Sequence, residues 1–258
     1  MTEYVFSNPQ ELEELQKLPP KKKRGIKGIL AGLAVLLAKF KVILMAGTMF
    51  LSAALYAWAW GWPFAVGLVL LIFVHEMGHS FALKRRGIKA SIPIFIPFVG
   101  AFIAMKEMPR SVALEAETAF AGPLLGTLAA LIPWQIAEVT KNPFWLNLAY
   151  TGFAINLFNL LPILPLDGGR IAAAISPKIW LLGMIGVVIL LFYSFNPILL
   201  LIIILSLPRT LEAFKGVTDL NYYDISPGAR ALTFAGYFGL ALFLTLMMVS
   251  TYHPVHLG

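Results

Sequence analysis

Residues 66–83 read Val-Gly-Leu-Val-Leu-Leu-Ile-Phe-Val-His-Glu-Met-Gly-His-Ser-Phe-Ala-Leu, a metal-site pattern inside an apolar segment. On a helix, His75 and His79 are four positions apart, so their imidazoles project from one face and can bind one metal ion. Glu76 is one position further round, close enough to polarise a metal-bound water without being a ligand. Because uncompensated polar groups are costly in lipid and tend to mark function, this cluster predicts a catalytic site.

The composition around this stretch is that of a membrane protein. Of the 258 residues, 59% are hydrophobic and only 13% are charged, and the mean hydropathy is +0.80. A soluble domain is far less apolar than this. We therefore predict an all-α polytopic membrane protein with about six or seven transmembrane helices and one re-entrant, strand-like segment.

The charge and the cysteine content limit which residues could bind a metal and which partners the chain could have. The chain has no cysteine, which excludes disulfides and thiolate ligands and leaves His, Asp and Glu to bind any metal. The formal net charge is +7, but many of the basic residues flank apolar segments. We interpret them as cytosolic loops in contact with anionic lipid in the bilayer, and we expect no nucleic-acid partner.

The segments before the histidines set the predicted orientation. Residues 1–28 form a polar tail whose basic run at 21–24 is expected to hold the N-terminus in the cytosol, without the pattern of a signal peptide. The short apolar segment 29–38 either lies in the membrane interface or joins the next helix. Residues 42–60 are the first predicted span, and 64–83 returns to the cytosolic side. The metal would then lie within the membrane, nearer the cytosol.

Residues 91–105 are apolar but interrupted by Pro93, Pro97 and Gly100, so they do not fit a spanning helix. A re-entrant or strand-like segment packed against protein fits better. Its unpaired edge would be able to receive an extended peptide as an added strand. A loop that merely covers the helices is the open alternative.

Further spans are predicted on both sides of a second motif. Residues 112–139 form a third span in which Pro123 could bend the helix and Gly122 would permit close packing. Residues 144–161 form a fourth span, after which prolines and paired glycines are expected to break the helix. That break leaves Asp167 near the cytosolic side, at a depth similar to that of the histidines.

The last part of the chain is less strongly patterned. Residues 180–193 and 197–207 form either a hairpin or one long helix, and the positions of the following basic residues favour the hairpin. Residues 231–251 form a final span. His253 and His256 follow it beside a proline, and we interpret them as solvated rather than as metal ligands.

Two histidines make an incomplete catalytic zinc site, since such sites usually have three protein ligands and one water. Asp167 is the best third candidate, because it lies at a broken helix end on the predicted side of the histidines. Glu115 and Glu117 are explained as favourable charges in the first turn of a helix. Asp219 and Asp224 fall in a polar loop. Without the histidine pair, Asp167 would be interpreted as a turn-forming residue before two glycines.

The two motifs together resemble the site-2 protease family of intramembrane zinc metalloproteases. The first is His-Glu-x-x-His at 75–79, and the second is Asn-x-x-Pro-x-x-Pro-Leu-Asp-Gly-Gly at 159–169. They occur in the expected order, and the resemblance spans roughly residues 64–170. Two ordered motifs are much more specific than a histidine pair alone.

The resemblance implies the roles of the site residues. His75, His79 and Asp167 bind Zn²⁺, Glu76 is the general base and acid, and Asn159 orients substrate or stabilises the oxyanion. The segment 91–105 then presents its edge to the substrate. The implied activity is endopeptidase cleavage within or near the membrane-spanning segment of a single-span protein, and the oligomeric state is left open.

The resulting domain division is a cytosolic polar tail at 1–28, a membrane-embedded metalloprotease core at 29–178 and C-terminal transmembrane helices at 179–258.

Three other interpretations compete with the protease. A transporter or membrane metal-binding protein would use the histidines as a permeation site, but it gives no role to Glu76. An inactive regulatory relative would be expected to lack Glu76 or a ligand. A purely structural reading, in which His75 and His79 hydrogen-bond across helices, would require separate partners for both histidines and for Glu76.

Overall fold

The computed structural model describes residues 26–105, 107–215, 219 and 221–252. Most of the tail at 1–28 and both terminal histidines, His253 and His256, lie outside these residues. The described elements are α1 (Ile26–Trp60), α2 (Trp62–Arg85), β1 (Ile94–Ile96), β2 (Gly100–Phe102), α3 (Val112–Thr140), α4 (Pro143–Asn159), α5 (Asp167–Ile175), α6 (Ile179–Tyr193), α7 (Pro197–Lys215) and α8 (Pro227–Thr251).

The protein is an integral membrane protein built mainly from helices. In the described part of the chain, α2, α3, α8 and the Val35–Trp60 part of α1 are long and apolar enough to cross a bilayer. Large apolar side chains lie on the outside, with Trp58 89% and Phe192 87% exposed, as a lipid-facing surface requires. Helices α4 and α6 have 17 and 15 residues, fewer than the usual ~20 of a span. The count of six or seven spans therefore stays a prediction.

Helix α1 settles one of the open alternatives, because residues 29–38 are continuous with the first predicted span. Tertiary contacts divide the chain into two units, residues 1–42 and residues 43–258. All of the candidate site residues belong to the second unit. The site is therefore formed within one unit of the chain.

Helices α2, α3 and α4 pack side by side around the histidines. Small residues permit this close approach, because a side-chain carbon on Gly78 of α2 would collide with the backbone carbonyl of Ala121 on α3. Gly122 is likewise covered by the ring of His79, which confirms its predicted packing role. Helix α3 continues through Pro123.

The helix break before Asp167 is confirmed, but the role expected for the paired glycines was wrong. The irregular segment 160–166 separates α4 from α5, and Gly168 and Gly169 lie inside the first turn of α5 rather than in the break. A side-chain carbon on Gly168 would collide with the Leu160 carbonyl, and one on Gly169 would collide with the backbone of Ile163. Glycine is needed here so that α5 can press against the segment that precedes it.

The C-terminal helices hold α5 in place. Helices α6 and α7 are separate and pack against each other, which confirms the hairpin. The indole nitrogen of Trp180 on α6 donates to the carbonyl of Gly169 on α5 over 2.7 Å. Tyr237 on α8 donates to the carbonyl of Leu160 over 2.6 Å. Both bonds fix the segment that carries Asp167.

Candidate metal centre

Three side chains from two helices converge on one point. His75 Nε2 and His79 Nε2 each lie 3.2 Å from Asp167 Oδ2, and the two nitrogens lie 3.2 Å from each other. A tetrahedral zinc with bonds of about 2.0–2.1 Å separates its ligand atoms by roughly 3.3 Å. The three donors therefore fit zinc in both chemistry and spacing. They form the one metal-capable cluster found among the described residues.

The fold brings these donors together across 92 residues of sequence. Helix α2 supplies both histidines from one face, as the spacing predicted, and His75 is buried. The irregular segment 160–166 turns the chain back so that the first turn of α5 presents Asp167, which is also buried. Asp167 lies within the first turn of α5, and its carboxylate faces the histidines.

The second nitrogen of each imidazole has its own partner. His75 Nδ1 lies 2.8 Å from Asn156 Oδ1 on α4, and His79 Nδ1 lies 2.9 Å from the carbonyl oxygen of Thr118 on α3. Both partners are acceptors, so each Nδ1 donates and each Nε2 keeps its lone pair for a metal. Neither Asn156 nor Thr118 was identified from the sequence.

Glu76 lies beside the three donors without joining them. It is 6% exposed and lines a cavity of about 510 Å³ together with His75. Within the described part of the chain, its carboxylate has no hydrogen-bond or ion-pair partner. The cavity is lined by α1, α2, the β1–β2 hairpin, α4, the segment before α5, and α7. A carboxylate in this position is free to exchange a proton with a molecule in the cavity.

Asn159 lies on the wall of the same cavity, and among the described residues it makes no hydrogen bond to the three donors. Its Nδ2 donates to the carbonyl of Ile155 over 3.0 Å, one turn earlier on α4. An amide nitrogen carries two hydrogens, so one N–H remains available to a bound molecule.

The segment 91–105 forms a short antiparallel hairpin, which confirms its strand-like character. Ile94, Phe95 and Ile96 of β1 pair with Phe102, Ala101 and Gly100 of β2. The Phe95 backbone nitrogen donates to Thr48 Oγ1 over 3.4 Å, and the Phe98 nitrogen donates to the Tyr56 hydroxyl over 3.0 Å. Both acceptors are on α1, so β1 faces α1 and β2 lies beside the cavity.

A polar network joins Arg170 of α5 to α3 and to the loop before α8. Arg170 lies 3.9 Å from Glu115 on α3, and the Tyr222 hydroxyl donates to the same carboxylate. Burial and the Glu115 carboxylate raise the pKa of the Tyr222 phenol above its usual range, so it stays protonated as the donor. The Tyr222 carbonyl accepts from the first residue of α3, Val112, over 2.9 Å. The loop before α8 thus ties α3 to α5.

Comparison with known proteins shows which family this part of the chain matches. The profile described as Peptidase family M50 matches residues 63–140 and 134–191, which together make up half of the chain. These ranges include all three donors, Glu76 and Asn159.

Several curated proteins resemble the same part of the chain. Zinc metalloprotease MJ0392 of Methanocaldococcus jannaschii is 35% identical over 122 residues, covering 43% of this chain and 34% of that protein. Stage IV sporulation protein FB of Bacillus subtilis is 31% identical, covering 43% and 39%. Putative zinc metalloprotease Rip3 of Mycobacterium tuberculosis is 30% identical, covering 51% and 35%. The chain thus spans little more than a third of the length of these relatives.

Proposed function

The chain belongs to Peptidase family M50, and from that premise we propose that it is a zinc-dependent intramembrane endopeptidase. It would hydrolyse peptide bonds within or near the transmembrane segment of a single-span membrane protein. The observation that carries this proposal is the set of three donor atoms 3.2 Å apart, one of which belongs to His75, the residue that lines a cavity together with Glu76. We further propose that the N-terminus is cytosolic and that residues 29–178 form the protease core.

The proposed metal ligands are His75 Nε2, His79 Nε2 and Asp167 Oδ2. When bound, zinc supplies a Lewis acid that makes water more acidic and draws electrons from the scissile carbonyl. The protein keeps both imidazoles in the form that can bind a metal, through the acceptors on α3 and α4 described above.

The proton transfers fall to Glu76. Its carboxylate accepts a proton from the attacking water as the oxygen–carbon bond forms, and returns it to the leaving nitrogen as the carbon–nitrogen bond breaks. The free N–H of Asn159, on the cavity wall, would donate to the oxygen that gains negative charge. Both side chains face the cavity where a peptide would lie.

The substrate must be extended before it is cut, since a helical peptide ties up its carbonyl in a backbone hydrogen bond. We infer that Ala101 holds the extended form. Along two antiparallel strands, two kinds of opposite residue pair alternate. In one kind the two residues exchange backbone hydrogen bonds, and in the next their N–H and C=O groups point away from the partner strand. The Phe95 N–H points to Thr48 on α1, so Phe95 and Ala101 form the outward pair. The N–H and C=O of Ala101 then point to the cavity side of β2.

Replacing Ala101 with proline should lower cleavage while leaving zinc content unchanged. Proline removes the outward N–H, and proline is tolerated on edge strands where that N–H is not used within the sheet. The loss of one backbone hydrogen bond to substrate predicts a fall in kcat/KM of roughly threefold to tenfold. Phe102→Pro is the matched control. This substitution removes an N–H that pairs with Ile94 inside the hairpin, so it should disrupt the hairpin itself. Unchanged kcat/KM for Ala101→Pro would contradict the edge-strand proposal.

The test of the proposed function combines metal content with peptide cleavage. Detergent-purified protein should contain about one zinc per chain and should cut a single-span substrate incorporated in the same micelles. Chelation should stop cleavage, and added zinc should restore it. Zinc without cleavage of a panel of single-span substrates would favour a non-proteolytic membrane metal-binding protein. Protein that binds no zinc would refute the proposal.

A further inference from the structure

Asn156 lies behind His75, on the side away from the other two donors. We propose that Asn156 is a positioning residue that fixes the ring of His75 with Nε2 turned toward the metal. This inference rests on the proposed function, because it assigns a task to a residue outside the ligand set. Asn156 is 2% exposed and does not line the cavity, so it has no route to substrate.

The orientation of the Asn156 amide follows from its neighbours. Its Nδ2 lies 2.8 Å from the carbonyl oxygen of Gly152, which can only accept a hydrogen bond. The other end of the amide, Oδ1, is therefore the atom that faces His75 Nδ1 at 2.8 Å. An oxygen acceptor requires a proton on Nδ1, and the neutral ring then has its lone pair on Nε2. One amide thus sets both the direction and the tautomer of the ring.

Helix α3 leaves room for this arrangement at one glycine. A side-chain carbon on Gly126 would collide with the amide of Asn156. A larger residue at Gly126 would therefore push the amide off His75. The glycine on α3 and the amide on α4 act together, since the first provides the space that the second needs.

Asn159 offers a matched comparison on the same helix. Both asparagines donate Nδ2 to a carbonyl four residues earlier, over 2.8 Å for Asn156 and 3.0 Å for Asn159. Asn156 Oδ1 contacts an imidazole, whereas Asn159 lies on the cavity wall. The same substitution at the two positions therefore separates metal binding from substrate chemistry.

The first test replaces each asparagine with leucine, which has the same branched shape but no acceptor. Asn156→Leu leaves Nδ1 of His75 without its partner, so the ring can rotate or change tautomer. Loss of such an outer partner typically weakens metal binding by about 10–100-fold. We expect that weakening for Asn156→Leu and an unchanged zinc dissociation constant for Asn159→Leu. The measurement is zinc competition against a chromophoric chelator in detergent micelles.

A second pair of variants separates positioning from packing. Asn156→Ala removes the acceptor and leaves a gap beside Gly126, and the double variant Gly126→Ala/Asn156→Ala partly fills that gap with a methyl group. If Asn156 only filled space, the double variant would recover both thermal stability and zinc affinity. We expect the double variant to recover stability while its zinc affinity stays as low as that of Asn156→Ala.

The outcomes distinguish this inference from the proposed function. Wild-type protein that binds zinc, together with Asn156→Leu that binds it equally well, would overturn the positioning role and leave the protease proposal standing. Recovery of zinc affinity in the double variant would also overturn it. Wild-type protein that binds no zinc would refute the proposed function, and the positioning role with it.

Discussion

Glu76→Gln should lower peptide cleavage by about 10²–10⁴-fold, the usual contribution of a general acid–base group, while zinc content and folding stay as in the wild type. Glutamine keeps the size of the side chain, but its amide oxygen cannot accept and return a proton at neutral pH. Glu76 is not among the three donors that lie 3.2 Å apart, so its replacement leaves the metal ligands in place. Zinc stoichiometry and single-span substrate cleavage, measured on the same preparation, check both halves of this prediction.

Glu117→Gln is the matched control. Glu117 is exposed near the start of α3 and pairs with Arg86 at the end of α2, outside the cavity. An exposed ion pair of this kind contributes at most about 1 kcal/mol, so cleavage should not change. Cleavage retained in Glu76→Gln would remove Glu76 as the base. Zinc lost in that variant would instead make Glu76 a metal ligand.

The sequence predicted the part of the site that depends on local geometry. The spacing of His75 and His79 decides which way their rings point as soon as the segment is helical, and no tertiary contact is needed for that inference. Asp167 was harder, because its place beside the histidines depends on a fold that spans 92 residues. Asp167 could still be proposed as the third metal ligand, since few other carboxylates lie at a helix break on the predicted side of the membrane.

The parts that the sequence did not reveal depend on contacts between helices. Thr118 holds His79 through its backbone carbonyl, which every residue has, so no side-chain pattern marks it. Asn156 had a signal, since it is an amide in an apolar helix, but Asn147 and Asn159 are amides on the same helix. Nothing local identifies the partner of any one of them. Gly168 and Gly169 were expected to break a helix because glycine often does so, whereas tertiary packing requires them within one.

Gly122→Ala should abolish zinc binding at concentrations that saturate the wild type, and cleavage should fall with it. The ring of His79 lies over Gly122, while Nδ1 of the same ring is held by Thr118, one turn earlier on α3. An added methyl group would collide with His79 Nε2, the atom proposed to bind zinc. The ring must then turn away from His75 and Asp167, which leaves two donors where catalytic zinc usually has three. Zinc titration and unfolding of the metal-free protein are the measurements.

Gly186→Ala on α6 makes the same change where no neighbouring atom lies within 4 Å of the new carbon. Alanine is favoured over glycine in helices by up to about 1 kcal/mol, so this control should bind zinc normally and unfold no earlier than the wild type. Because the His79 ring can rotate about its own bonds, Gly122→Ala should change the stability of the metal-free protein much less than it changes zinc binding. Normal zinc binding by Gly122→Ala would show that α2 and α3 can move apart without disturbing the ligands. In that case, close packing at Gly122 would play no part in holding the ring of His79.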